Sequence, residues 1–187
     1  LCVSAVCLLV FVEYGITGAH YRNTRNFILK QLLSEDKFNF GYWWCESIYT
    51  LYYILLSAVN FDDKELIELV ESKMALLIDK PYNNFFKGLL ISTLCLTNRL
   101  FKSFNIQLKR LVNELINDQF VDGSWQQGNS LRIPHPSALN VDLKDIVWRK
   151  ADKGTNILVE DHNRIFTTIS CLNAVYSYQQ KIGKEDT

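Results

Sequence analysis

Apolar residues in this chain recur at helical spacing inside segments that themselves recur about every 44 residues, and a repeat of that length leaves few architectures open. Four apolar stretches superpose: 4–11 (SAVCLLVF), 49–59 (YTLYYILLSAV), 91–100 (ISTLCLTNRL) and 167–175 (TTISCLNAV). Their reference positions Ala5, Thr50, Thr93 and Thr168 lie 45, 43 and 75 residues apart, the last interval being one repeat plus some 30 extra residues. Between them run amphipathic segments whose polar faces carry Arg25, Lys30, Asp63, Lys64, Glu68, Lys109, Arg110 and Glu114. An apolar helix followed by an amphipathic one, repeated, is what the inner and outer layers of a double ring of helices require.

The spacing predicts helices over 2–14, 22–34, 45–59, 63–79, 84–101, 105–118 and 163–181, with no convincing period-two alternation, and hence an all-α chain. Segments 2–14, 45–59, 84–101 and 163–181 are expected inside and the other three outside, the inner set more buried. Asp36, Asn60 to Asp63, Asn83-Asn84 and Ser103 to Asn105 supply caps and breaks. The polar stretch 126–161 is expected to be one long loop, and loops of that length in compact domains tend to be functional.

With 187 residues and 48% apolar content the chain fits one domain with a substantial core. Twenty Lys+Arg against 20 Asp+Glu leave no electrostatic footprint for nucleic acid. The cysteines at 2, 7, 45, 95 and 171 are odd in number and sit in apolar patterns, the signature of reduced thiols in a cytoplasmic protein. The apolar opening LCVSAVCLLVFV has neither a basic flank before it nor a cleavage site behind it, so no secretory signal is expected. The chain begins without Met inside a helical pattern, and we expect a fragment of something longer.

Near the end of the third amphipathic segment stands Gln119-Phe120-Val121-Asp122-Gly123-Ser124-Trp125, a Q-x3-G-x-W, with a weaker copy from Gln31 through Gly41 to Trp43 two repeats upstream. Gln119 is expected to cap the exposed helix end, Gly123 to permit the reversal and Trp125 to stack beneath the next repeat. The pattern resembles the QW motif of the superfamily that holds squalene–hopene cyclases, terpenoid cyclases and protein prenyltransferases, and the resemblance implies a partial α/α toroid of about three and a half of six helix pairs. SLRIPHP at 130–136, Trp148-Arg149 and the run from Glu160 to Thr168 look like bacterial class II sesquiterpene cyclases that make drimane-type skeletons. That likeness implies protonation-initiated cyclisation of farnesyl diphosphate or a similar linear isoprenoid, an upstream remainder of the toroid, and in some relatives a fused phosphatase-like domain.

Class II cyclisation needs a strong carboxylic acid in a dry pocket, supplied in the family by D-x-D-D or D-x-D-T-T, and neither occurs here. The resemblance puts the acid just upstream of Leu1. A class I metal motif is approached by Asp62-Asp63, but Leu66 stands where the third carboxylate belongs, so both aspartates read as a helix N-cap and first-turn charge. No Cys/His zinc spacing and no Gly-Cys-Gly-Glu-Gln thioester segment occurs. No protein-bound metal is expected, and Mg2+ only as a companion of the diphosphate.

Carbocations are stabilised by aromatic faces. A helix opening at Trp43 and Trp44 would place Glu46, Tyr49 and Tyr53 on one face, with Phe166 at matching depth in the last inner helix, and these six residues form the expected substrate wall. Arg132, Arg149, Lys150 and Arg164 cluster around the long loop and are expected to hold the diphosphate, with solvated surface charge as the plain alternative. The competing reading is a non-catalytic helical-repeat module that binds a lipid or a partner protein in the same cavity.

Overall fold

A computed structural model describes residues 1–34, 43–135, 146–151 and 153–183. The helices are α1 (Cys2–Glu13), α2 (Ala19–Leu33), α3 (Ser47–Phe61), α4 (Lys64–Met74), α5 (Asn84–Leu96), α6 (Asn98–Ser103), α7 (Asn105–Asn117) and α8 (Ile165–Ile182). The apolar helices pack in sequence, α1 on α3, α3 on α5 and α5 on α8, while α2, α4 and α7 cover α1, α3 and α5 from outside. Two layers of helices therefore follow an arc, as the repeat predicts. Asp36 and Gly41, the glycine of the weaker upstream copy of the motif, lie outside the described residues.

Helix α5 is the centre of the core, and every residue from Asn84 to Cys95 is buried. Its one charge, Lys87, meets Asp118 at 3.2 Å and Glu114 at 3.4 Å, both at the C-terminal end of α7 where a cation is also favoured by the helix dipole. Against α8 the helices touch through Gly88: a Cβ there would lie 2.6 Å from Ser170 Oγ and 2.8 Å from the Ser170 backbone carbonyl. Ser170 Oγ donates to the Phe85 carbonyl at 2.8 Å across the same contact.

The expected burial order holds for the middle of the arc only. Helices α3 and α5 are more buried than their outer partners, whereas α1 buries Cys2, Ala5 and Leu8 alone and α8 buries Thr167, Ser170, Cys171 and Ala174. The two end helices instead expose apolar side chains, among them Val3, Val10, Ile165, Ile169, Leu172 and Tyr176. Each inner helix needs a neighbour on both sides, and among the described residues the end helices have one such inner neighbour.

Three element boundaries differ from the sequence reading for identifiable reasons. Segment 84–101 breaks at Thr97, whose extended backbone lets its Oγ1 accept the Leu100 amide and donate to the buried Glu71 of α4. Segment 63–79 is helical only to Met74, although Leu77 and Ile78 beyond it are still buried. The stretch 126–161 is not a plain loop: β1 (Asn129–Ile133), β2 (Arg149–Lys150) and β3 (Ile157–Glu160) form a sheet in the order β1-β3-β2, antiparallel between β1 and β3 and parallel between β2 and β3. Each strand is too short for alternation to register. The fold is thus helical with a small sheet rather than purely α.

Asp62 and Asp63 divide between two helices. Asp62 ends α3 in the left-handed region, at φ 56°. Asp63 caps α4 by accepting the Leu66 amide, and its carboxylate takes the fork of Arg25 from α2, whose Nη2 also reaches Glu65 at 2.8 Å. The N-cap is therefore Asp63 rather than Asp62, and the first-turn charge of α4 is Glu65 rather than Asp63.

Candidate functional site

Residues of the two short segments 44–46 and 83–85 line two separate cavities. One, of about 220 Å³, lies between α3, α5 and α8 and is walled by aromatic rings. The other, of about 570 Å³, is polar and opens beneath the small sheet. Trp44 and Phe85 face the first, while Cys45, Glu46 and Asn83 face the second.

The sheet fixes the wall between them. The Arg132 amide donates to the Trp43 carbonyl at 2.7 Å, and Trp44 bridges to Leu131 of β1. Held there, the Trp44 indole is sandwiched by Tyr49, 4.0 Å away and 12° from parallel, and by Phe85, 5.3 Å away at 17°. Tyr53 tilts against Tyr49 at 4.8 Å, and Tyr52 meets Tyr53 edge-on. Burial first, and then contact with Tyr53, pushes the Tyr49 phenol well above its ordinary value, so it stays neutral. Among the described residues no Asp, Glu, Lys or Arg lines this cavity.

Of the six expected wall residues, Trp44, Tyr49, Tyr53 and Phe166 line the aromatic cavity. Trp43 contributes its backbone and does not line it. Glu46 does not share a face with the tyrosines, because α3 begins at Ser47 and Glu46 precedes it with extended backbone (φ −123°, ψ 144°). It lines the polar cleft instead, where desolvation raises its carboxyl against the opposing pull of Lys80 and Arg132. The neighbouring Cys45 thiol is pushed up to about 11, chiefly by burial.

The four expected cations separate. Arg132, 7% exposed, and Lys150 line the polar cleft, where Trp148 lies 5.8 Å from the Arg132 guanidinium and Glu160 takes Lys150 Nζ at 2.7 Å. Arg149 precedes Lys150 in β2 and so points to the other face of the sheet. Arg164 is committed elsewhere: Nη1 donates to Ser124 Oγ at 2.7 Å, approaches Asp122 at 3.6 Å and lies over the Phe120 ring. It braces the turn that contains Gly123.

That turn departs from the expected division of labour. Gln119 Nε2 donates to the Gly123 carbonyl at 3.0 Å and so closes the turn rather than capping the helix. Gly123 supplies φ 82°, as the reversal requires. The helix end is capped by Trp125, 1% exposed, whose Nε1 donates to the Leu115 carbonyl.

No protein-family model matches the chain, and no curated protein matches it. Solved structures do. A single-site variant of the type II terpene cyclase MstE from Scytonema, in complex with its product merosterolic acid A, superposes with a TM-score of 0.69 at 20% identity over 94% of this chain and 52% of that one. The same enzyme without ligand gives 0.67 at 21% identity, over 92% and 52%. The fold is similar to that of a type II terpene cyclase. This chain spans about half the length of the structures it matches.

Sequence reasoning did not find Phe85, Tyr52, Leu89, Ser92 and Asn173 in the aromatic cavity, or Asn83, Gln126 and Trp148 in the cleft. Phe85 was findable, since it follows the α5 N-cap Asn83 by two positions and Trp44 stands just before the α3 start. Among the described residues no group of three or more His, Cys, Asp or Glu is placed to hold a metal, and no helix is long and apolar enough to cross a membrane.

Proposed function

We propose that this chain is the C-terminal part of a class II terpene cyclase, acting by protonation-initiated cyclisation on farnesyl diphosphate or a similar linear isoprenoid to give a bicyclic drimane-type product. The observation that carries this reading is the aromatic cavity, whose described lining holds no charged side chain, set in a fold similar to that of a type II terpene cyclase. Tyr49, Tyr53, Trp44 and Phe166 stabilise the cation and shape the folded chain. Arg132 and Lys150 hold the head group in the adjoining cleft. A Mg2+ that arrived on a diphosphate would meet Glu46 and Glu160 there.

The acid is a carboxyl from the remainder of the toroid, upstream of Leu1. That remainder covers the exposed apolar sides of α1 and α8, and a fused phosphatase-like domain would remove the diphosphate after cyclisation. The site is cytoplasmic. The second reading, a binding module without catalysis, draws on the same lack of a carboxylate in the cavity.

The test is incubation of the protein at its native length with farnesyl diphosphate, followed by mass spectrometry of the extracted products. A bicyclic product is expected. Unconsumed substrate that still binds stoichiometrically would favour the binding module and overturn the cyclase.

A further inference from the structure

Helices α5 and α8 keep one register along their length. Ser170 donates to the Phe85 carbonyl, Ser92 shares a cavity with Ser177, and Leu96 shares it with Lys181, so the two helices run in parallel at a constant offset of 85 residues. The groove between them holds two cavities in succession, the aromatic one of about 220 Å³ and a second of about 250 Å³. On α5 the first takes Phe85, Leu89 and Ser92 and the second Ser92, Cys95 and Leu96, one unbroken stripe at helical spacing. On α8 the stripe passes from Phe166 and Asn173 to Ser177 and Lys181 in the same way. Ser92 is the one residue in the described lining of both.

The chemistry of the groove changes at Ser92. On one side stand the rings of Trp44, Tyr49, Tyr53 and Phe85. On the other, Ser177, Gln180 and Lys181 present a hydroxyl, an amide and an ammonium, the ammonium 6.0 Å from the Phe101 ring. The seven residues from Phe85 to Ser92 span a rise of about 10 Å, which is the length of groove walled by rings. A hydrocarbon that ran past Ser92 would take water from the polar groups beyond it and return no hydrogen bond.

We propose that this change of lining fixes the length of the prenyl chain at fifteen carbons. Two fused six-membered rings occupy the aromatic stretch, and the ring that a twenty-carbon chain adds would lie beyond Ser92 against Gln180 and Lys181. Selection of this kind works by rejecting the longer chain rather than by an added contact to the shorter one. Gln180 and Lys181 are specificity-determining residues that need not touch the preferred substrate. The inference rests on the cyclase reading given above and narrows its substrate.

The experiment compares farnesyl and geranylgeranyl diphosphate on wild type and on Gln180→Leu/Lys181→Met at native chain length. The double variant keeps the side-chain bulk of the second cavity and removes its polarity. Both kcat/KM and, by titration, binding are measured for each chain, with a thermal melt of each protein. Wild type should favour the fifteen-carbon chain by about tenfold or more, the worth of leaving one buried polar group unsatisfied, and the double variant should bring that ratio close to one. A wild type that takes both chains equally overturns the proposal. So does a folded variant whose ratio is unchanged, the result expected if these residues serve stability alone. Selective binding without any cyclic product would defeat the cyclase reading and leave the length limit standing, which separates the two failures.

Discussion

The indole Nε1 of Trp125 donates to the Leu115 carbonyl at 2.6 Å, and so satisfies one of the last carbonyls of α7. Of the last carbonyls in that helix, Glu114 accepts the Asp118 amide and Ile116 the Gln119 amide. Leu115 is left for a side chain. Trp125→Phe keeps most of the ring and orphans that carbonyl, at a cost of about 1–3 kcal/mol. Trp125→Ala also empties the ring volume and should cost about 3–5 kcal/mol. Chemical denaturation of the two variants should rank them in that order, with products of any folded protein unchanged.

Gly88→Ala probes the closest approach of the inner layer. Two of the three nearest atoms to the added Cβ belong to the Ser170 backbone, which cannot rotate away. Overpacking of this kind typically costs about 1–3 kcal/mol. The double variant Gly88→Ala/Ser170→Ala removes the hydroxyl but not the carbonyl, so it should recover little. Full recovery in a thermal melt would mean that the side chain, not the backbone, sets the spacing.

The layers of the fold were legible because their signals are local. The period of apolar residues and the charged faces of α2, α4 and α7 need only a window of one helix. The sheet depends on pairs such as Leu131 with Val159 and Ile133 with Ile157, far apart in sequence and carried by strands of two to five residues. Glu46 was assigned to the wrong surface because its backbone is extended one residue before α3 starts, so the helical wheel does not apply to it. Arg164 was assigned to the head group because its partners, Ser124 and Asp122, lie some 40 residues back on a turn. In each case the missing information is a contact distant in sequence.

The Arg25–Asp63 fork should give stability a defined pH dependence. Burial by itself would raise the Asp63 carboxyl, but the Arg25 hydrogen bonds and the Leu66 amide outweigh it and hold the group below its usual range. A carboxyl lowered by folding contributes stability that is full above its unfolded value of about 3.9 and is lost as pH falls through the lower folded value. Wild type should therefore exceed Asp63→Asn in unfolding free energy at pH 7, with the gap closing in strong acid. Urea titrations at a series of pH values measure it. A gap that stayed constant down to the acid limit would remove the ion pair as its source.

The final expectation separates the head-group cleft from the prenyl cavity. Lys150 lines the cleft while Arg149, adjacent in β2, points to the opposite face of the sheet, so the two lysine-to-alanine and arginine-to-alanine changes form an internal control. Lys150→Ala should weaken substrate affinity by about tenfold through loss of a charge-assisted contact, appearing in KM. Arg149→Ala should leave KM near wild type, and Arg164→Ala should lower the melting temperature through the turn it braces. Tyr49→Leu removes a ring whose attraction grows as positive charge develops, so it should depress kcat or divert the cation to earlier products with little change in KM. Steady-state kinetics with product analysis on the four variants, with a thermal melt of Arg164→Ala, reads these outcomes. Equal losses of affinity in Lys150→Ala and Arg149→Ala would point to general surface charge, and an unaltered kcat and product pattern in Tyr49→Leu would take the aromatic wall out of the chemistry.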